Sequence, residues 1–217
     1  MLKLYGFAVS NYYNVAKTAL LEKGLEFEEV TAWTPLEGDM LRKSPMGKVP
    51  FLETAEGVFT EAQVILDYLE ELAPAPALLP ADPFHRAKAR EISRVIELYM
   101  ELPARRVYPE AFFGATVSDE TKKEAAAVLR RGADALAALS RFDGPLDGQA
   151  FGQADINAII HLPLLRDAGR KILDVDVYDQ LPGVKEYLGE ARKRDAVARV
   201  MADQKEAMAA FLKRKNG

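Results

Sequence analysis

The chain has 217 residues, 49 % hydrophobic and 29 % charged, with a formal net charge of -4. That is length enough for two modest domains, and the acidic balance argues against a nucleic-acid binder, which ordinarily carries a basic face. With no cysteine and only two histidines, His85 and His161, disulfides, Cys-type zinc sites, a protein thiol nucleophile and a His-rich metal site are all excluded.

In chain order, LKLYGF (2–7) reads as a strand and NVAKTALLEKG (14–24) as a helix, with Val15, Ala19 and Leu20 at helical spacing and Gly24 at its stop. LEFEEV (25–30) alternates as a strand does. An irregular piece with Trp33, Pro35 and Gly38 leads to the short strand VPFLE, a tight turn at AEGV and the returning strand VFT. EAQVILDYLEEL (61–72) is a second helix, with Val64, Ile65, Tyr68, Leu69 and Leu72 as its stripe. The order β-α-β-(α)-β-β-α is a small α/β sheet domain, and the proline-rich APAPALLPADP (73–83) reads as a linker.

Everything beyond reads as helix. Asp82 can cap and Pro83 can open a long segment to about Gly114, interrupted by Pro103 and Pro109. Ser118 caps the helix 118–142, whose buried side is marked by Val128, Leu129, Leu136 and Leu139. ADINAIIHLPLLRDAG (154–169) is too apolar for a surface helix and belongs at the centre of the second domain, with His161 packed inside it. Residues 182–214 supply more amphipathic helix, and KRKNG is a solvated basic tail. The predicted division is 1–76, a linker over 77–84, and an all-helical domain over 85–217. No apolar run is long enough for a membrane span, and MLKLYGF lacks a signal-peptide pattern, so a soluble cytoplasmic protein is expected.

Pro50 poses the sharpest local question. It opens VPFLE directly after the turn signal PMG, and proline cannot donate to a strand ladder. Either it simply starts an edge strand, or Val49–Pro50 is a cis peptide that turns the Val49 N–H and C=O outward, where an extended peptide ligand could pair.

The pieces LYGFAVS, SPMGKVPFLE, TEAQVILDYLEE, LLPADPFHRAKARE and QADINAI, in this order and at these distances, resemble the glutathione transferase family over essentially the whole chain. The resemblance implies a thioredoxin-like α/β N-terminal domain followed by an all-α helical bundle domain. It also implies glutathione as co-substrate, no metal, no nucleic-acid or membrane partner, and a homodimer. On this resemblance the backbone of Val49, before a cis Pro50, pairs with the cysteinyl part of glutathione, while Lys48 approaches the glycine carboxylate. Glu61 holds the γ-glutamyl amine. The family's usual serine after it is here Ala62, so only the Ala62 N–H and the helix N-terminus remain for the ligand's carboxylate. Losing a hydroxyl bond to a charged group weakens binding roughly tenfold to a hundredfold, unless Thr60 or Gln63 compensates.

A free thiol with pKa about 8.5 is only slightly ionised at neutral pH, and lowering that pKa by about two units makes it a nucleophile. AVSNYYN (8–14) offers Ser10, Asn11, Tyr12 and Tyr13. Ser10 matches the activating hydroxyl of serine-type members, with Asn11 or Tyr12 as alternative donors; Ser10 also suits a helix N-cap for folding reasons alone. A small hydrophobic electrophile is expected near Tyr12 and Tyr108, among the aromatics Tyr99, Phe112 and Phe113, with Pro103 bending the helix beside it. Gly152 stands where the family carries a cap residue three positions before Asp155, a folding feature rather than a catalytic one.

The leading reading is a detoxifying glutathione transferase. Alternatives are a glutathione-dependent disulfide reductase or peroxidase, and a binding or scaffold protein that kept the fold and lost the chemistry.

Overall fold

The computed structural model describes residues 1–216 and, in the last helix, side chains as far as 211 and at 213. Apart from Lys213, which is exposed, the basic tail of 213–217 lies outside the described side chains. The chain forms two compact units: Met1–Leu78 together with the residues from Arg192 onward, and Leu79–Ala191.

The first unit begins β1 (Leu2–Gly6), α1 (Asn11–Glu22), β2 (Phe27–Thr31), α2 (Gly38–Lys43), β3 (Phe51–Glu53), β4 (Val58–Thr60), α3 (Ala62–Leu72). The four strands lie in the order β2-β1-β3-β4, with β1 and β2 parallel and the other pairs antiparallel. Leu4 pairs with Leu52 and Tyr5 with Phe51. Because strand side chains alternate in direction, the first pair serves one face and the second the other. Tyr5 and Phe51 stack at 4.5 Å and close a core with Ala32 and Leu36, against which Met40 and Val49 pack.

In α3 the buried apolar positions are Ala62, Ile65, Leu66 and Leu69, while Val64 and Leu72 are each 48 % exposed. The expected stripe was therefore rotated by about one residue: 62, 65, 66 and 69 follow the 3-and-4 spacing of a single helical face. α1 starts at Asn11, earlier than expected, because Ser10 caps it.

The segment after α3, read as a free linker, is tied down over its first half. The buried Lys23 ammonium donates to the carbonyls of Ala73 (2.7 Å) and Pro76 (3.0 Å) and pairs with Glu70 at 2.8 Å. Glu70 in turn accepts the Leu78 N–H at 2.9 Å.

The last helix, α10 (Asp195–Asn216), belongs by its contacts to this first unit, although the sequence reading ran the helical domain to 217. Ion pairs to α1 help hold it. Arg194 grips Glu22 with two bonds of 2.8 and 2.7 Å, and Asp203 pairs with Lys17 at 2.7 Å. Partners so far apart along the chain leave no periodicity to read.

The second unit comprises α4 (Pro83–Arg94), α5 (Leu102–Arg105), α6 (Tyr108–Phe113), α7 (Asp119–Leu139), α8 (Gln153–Ala168) and α9 (Val184–Ala191). Asp82 and Ser118 cap α4 and α7 as expected. Between α4 and α5, Val95–Glu101 is wound as a π-helix. Just beyond it, Pro103 has no N–H for the Tyr99 carbonyl four residues back. That carbonyl points at Gly132 of α7, where any Cβ would come within 2.5 Å of it. α7 buries Ala125, Ala126, Leu129, Gly132, Ala133 and Leu136. Val128 is exposed and Leu139 only half-buried, which corrects the expected face. α8 is central, buried along most of its length, His161 included. Among the described residues no helix is long and apolar enough to cross a membrane.

Candidate functional site

Strand register gathers the predicted residues of the first unit. Tyr5 pairs with Phe51, and Phe51 with Thr60. The end of β1, the start of β3 and the end of β4 therefore lie at one end of the sheet. Three connections leave from that end: residues 7–10 into α1, Lys48–Val49–Pro50 into β3, and Glu61 into α3.

The middle connection contains the decisive peptide. Val49–Pro50 is cis, as Thr34–Pro35 and Ala75–Pro76 also are. The turn before it is held by the buried Ser44, whose hydroxyl donates to the Lys48 carbonyl at 2.7 Å. The Ser44 carbonyl accepts the Gly47 N–H at 2.8 Å. Gly47 has φ +65, a left-handed conformation open to glycine at little cost. Lys48 is exposed, Val49 half-buried and Pro50 buried.

At the start of α3, Glu61 takes φ +67 and ψ 122, a conformation that a residue with a Cβ adopts only at a cost. Its carboxylate is exposed and does not cap the helix. No acidic residue stands in the first turn itself and the Glu61 side chain makes no cap bond, so the partial positive charge of the first N–H groups of α3 is not met by a side-chain cap. Ala62 is buried at the first helical position.

At the start of α1, the Ser10 N–H donates to the Phe7 carbonyl at 2.9 Å, and the Asn14 side-chain Nδ2 donates to the Ala8 carbonyl at 2.9 Å, so the turn is fixed from both ends. Ser10 Oγ accepts the Tyr13 N–H at 3.4 Å. This bond uses a lone pair and leaves the hydroxyl proton for another acceptor. Capping and thiol activation, which looked like rival explanations of Ser10, are compatible. Asn11 is buried and Tyr12 half-buried.

Tyr13 is excluded as a thiol donor. It is buried, its hydroxyl donates to Glu29 Oε2 at 2.6 Å, and burial, followed by Glu29, pushes its pKa far above the phenolic range. Lys17, only 2 % exposed, donates to the same Glu29 oxygen at 2.6 Å and to Asp203 Oδ2 at 2.7 Å. Sequence reasoning missed this network. Its one legible hint is that Lys17 follows Tyr13 by four residues and shares its helical face.

Tyr108, expected at the electrophile site, sits in a core environment of the second unit and is 7 % exposed. Its ring meets Phe112 edge-on at 5.4 Å and lies under the Arg105 guanidinium. Burial, and then Glu101, hold its hydroxyl well above the usual phenol range. Tyr99 and Phe113 are exposed. Arg105 is paired with the buried Glu101 at 2.6 Å, and Arg106 with Glu124 at 2.9 Å, so neither is a free anion attractor. Among the described residues no group of three or more His, Asp or Glu is placed to hold a metal ion.

Residues 4–77 match the family model of the glutathione S-transferase N-terminal domain. Over 212 residues, 98 % of this chain and 96 % of the relative, the chain is 46 % identical to a glutathione S-transferase of Pseudomonas putida. The chain belongs to the glutathione S-transferase family. It is also 29 % identical to a maleylpyruvate isomerase of Ralstonia sp., over 87 % of this chain and 92 % of that one. A glutathione S-transferase structure from Rhodospirillum rubrum F11 is 27 % identical and superposes with a TM-score of 0.73, over 92 % of this chain and 91 % of that chain. The chain thus has the thioredoxin-like N-terminal domain and the helical second domain of that family.

Proposed function

We propose that the chain is a glutathione-dependent transferase whose co-substrate lies along the sheet end described above. The observation that carries this is the meeting there of the cis Val49–Pro50 peptide, the Ser10 cap of α1 and the uncapped start of α3. The chemistry of these groups fits glutathione piece by piece. The Val49 backbone suits the cysteinyl amide. The exposed Glu61 carboxylate suits the γ-glutamyl amine, and the α3 N–H groups, Ala62 first, suit its carboxylate. Lys48 is exposed within reach of solvent-facing carboxylates such as the glycine end.

In this reading Ser10 donates its hydroxyl proton to the sulfur. Together with the positive end of α1, that hydrogen bond favours the thiolate over the thiol. The thiol proton leaves to solvent, the sulfur forms a bond to an electrophilic carbon of a small hydrophobic substrate, and the group displaced from that carbon departs with the bonding electrons. The likeness to an isomerase across most of the chain supports a second outcome from the same thiolate. The sulfur adds to a conjugated cis double bond, the resulting single bond rotates, and the sulfur is expelled to give the trans isomer. The homodimer and the cytoplasmic setting implied by the family belong to the same proposal, and sedimentation equilibrium tests the first of them.

The deciding experiment is calorimetric titration with glutathione, followed by thiolate absorbance of the complex against pH and turnover of a chloro-aromatic beside a conjugated cis-dicarboxylate. Binding with a lowered thiol pKa and turnover of one substrate is expected. No binding at millimolar glutathione would leave a scaffold protein on the same fold.

A further inference from the structure

Tyr13 is fixed at three points. Its N–H reaches Ser10 Oγ at 3.4 Å, its hydroxyl donates to Glu29 Oε2 at 2.6 Å, and its ring lies so close over Gly6 that a Cβ there would come within 2.4 Å of Cδ2. Gly6 has φ +151 and ends β1, immediately before the turn that presents Ser10. The bond to Ser10 is long, so a displacement of a few tenths of an ångström breaks it.

What fixes Glu29 is Lys17, buried on α1 between Glu29 of β2 and Asp203 of α10, with Arg199 of α10 at 3.9 Å from the other Glu29 oxygen. The buried ammonium holds both carboxylates by short charge-assisted bonds, so the positions of Glu29 and Asp203 are linked through it.

We propose that Tyr13 is a positioning residue for the Ser10 hydroxyl, held in place by a Lys17–Glu29–Asp203 clamp that extends to the last helix. The inference rests on the proposed role of Ser10 in thiol activation. The clamp couples β2 and α10 through α1 to the turn that α1 begins from, so the direction of the Ser10 hydroxyl depends on α10.

The test compares Tyr13→Phe and Asp203→Asn with the parent and with Ser10→Ala. Each is read by the pH midpoint of the bound glutathione thiolate and by kcat and KM for glutathione. Tyr13→Phe removes one oxygen from a ring that stays buried. Its kcat should fall roughly three- to tenfold, as misplacement of a catalytic group does, with the thiolate midpoint moved up and KM changed less than twofold. Asp203→Asn should move the same quantities in the same direction by less. A purely structural role would lower thermal stability and leave the thiolate midpoint where it was. If both variants keep the parental midpoint and kcat while Ser10→Ala loses them, the positioning role is overturned and the Ser10 reading stands. If Ser10→Ala itself changes neither, the Ser10 reading falls and takes this inference with it.

Discussion

The Tyr187 hydroxyl donates to Asp155 Oδ1 at 2.5 Å, and the same carboxylate accepts the Leu146 N–H at 3.0 Å and the Gly152 N–H at 2.9 Å. Asp155 thus ties the loop before α8, the start of α8 and α9 together inside the second unit. Burial raises its pKa despite these three donors, and the Tyr187 pKa rises with it. Asp155→Ala leaves three donors facing apolar surroundings and should cost roughly 3–5 kcal/mol in urea unfolding. Tyr187→Phe removes one donor and leaves the carboxylate two, so it should cost roughly 1–3 kcal/mol. Equal losses from the two variants would show that the carboxylate is not the hub.

His161 gives the second unit a pH dependence. It is fully buried, and desolvation lowers its pKa from 6.5 to about 4. The unfolded chain takes up a proton near pH 6.5 that the folded chain refuses until about 4. The stability this represents is fully present above pH 6.5 and is lost as the pH falls towards 4, by roughly 3 kcal/mol in all. His161→Gln has no such proton to bind. The stability of the parent relative to this variant should therefore shrink by about that amount between pH 7 and pH 4 in denaturant titrations. A constant difference across the range would contradict a neutral buried imidazole.

The parts legible in the sequence were those with a local cause. Asp82 and Ser118 were read as caps because capping needs only an oxygen before a helical run, and the short apolar runs VPFLE and VFT on either side of the AEGV turn located two paired strands. The cis Val49–Pro50 peptide was legible only as an option, made pointed by its neighbours. Register errors arose where apolar residues crowd, as in VILDYLEEL, where two adjacent faces carry similar hydrophobicity and packing chooses between them. The Tyr13–Glu29–Lys17–Asp203 network was not legible: Asp203 stands 186 residues from Lys17, and each residue alone reads as an ordinary surface charge or a helix aromatic. The π-wound turn before Pro103 was expected only as a bend, because the room it needs comes from Gly132 on another helix.

Ala62 sets a prediction on affinity. The first turn of α3 offers backbone N–H groups to a carboxylate but no hydroxyl at that position. Ala62→Ser adds one oxygen at the helix start, where serine is well tolerated. Its hydroxyl can donate to the γ-glutamyl carboxylate. A hydrogen bond to a charged group is worth roughly 1.5–3 kcal/mol, so glutathione should bind roughly tenfold to a hundredfold more tightly by calorimetry. An unchanged Kd would mean that the helix N–H groups already satisfy the ligand's carboxylate.

Ser10 carries two duties that substitutions can separate. As a cap it only accepts, from the Tyr13 N–H; as an activator it must donate to sulfur. Ser10→Ala removes both. Its loss of stability should be modest, about 1 kcal/mol or less, since the cap bond is long. The bound thiol should titrate higher by roughly two pH units, and turnover should fall roughly a hundredfold, as when an oxyanion donor is deleted. Ser10→Asp restores an acceptor for the Tyr13 N–H and adds negative charge at the positive end of α1, so it should match or exceed the parent in thermal stability. An ionised carboxylate has no proton to give and repels a thiolate, so its thiol should titrate at least as high as in Ser10→Ala. Recovery of activity in Ser10→Asp would show that capping, and not donation, is what the reaction needs from this residue.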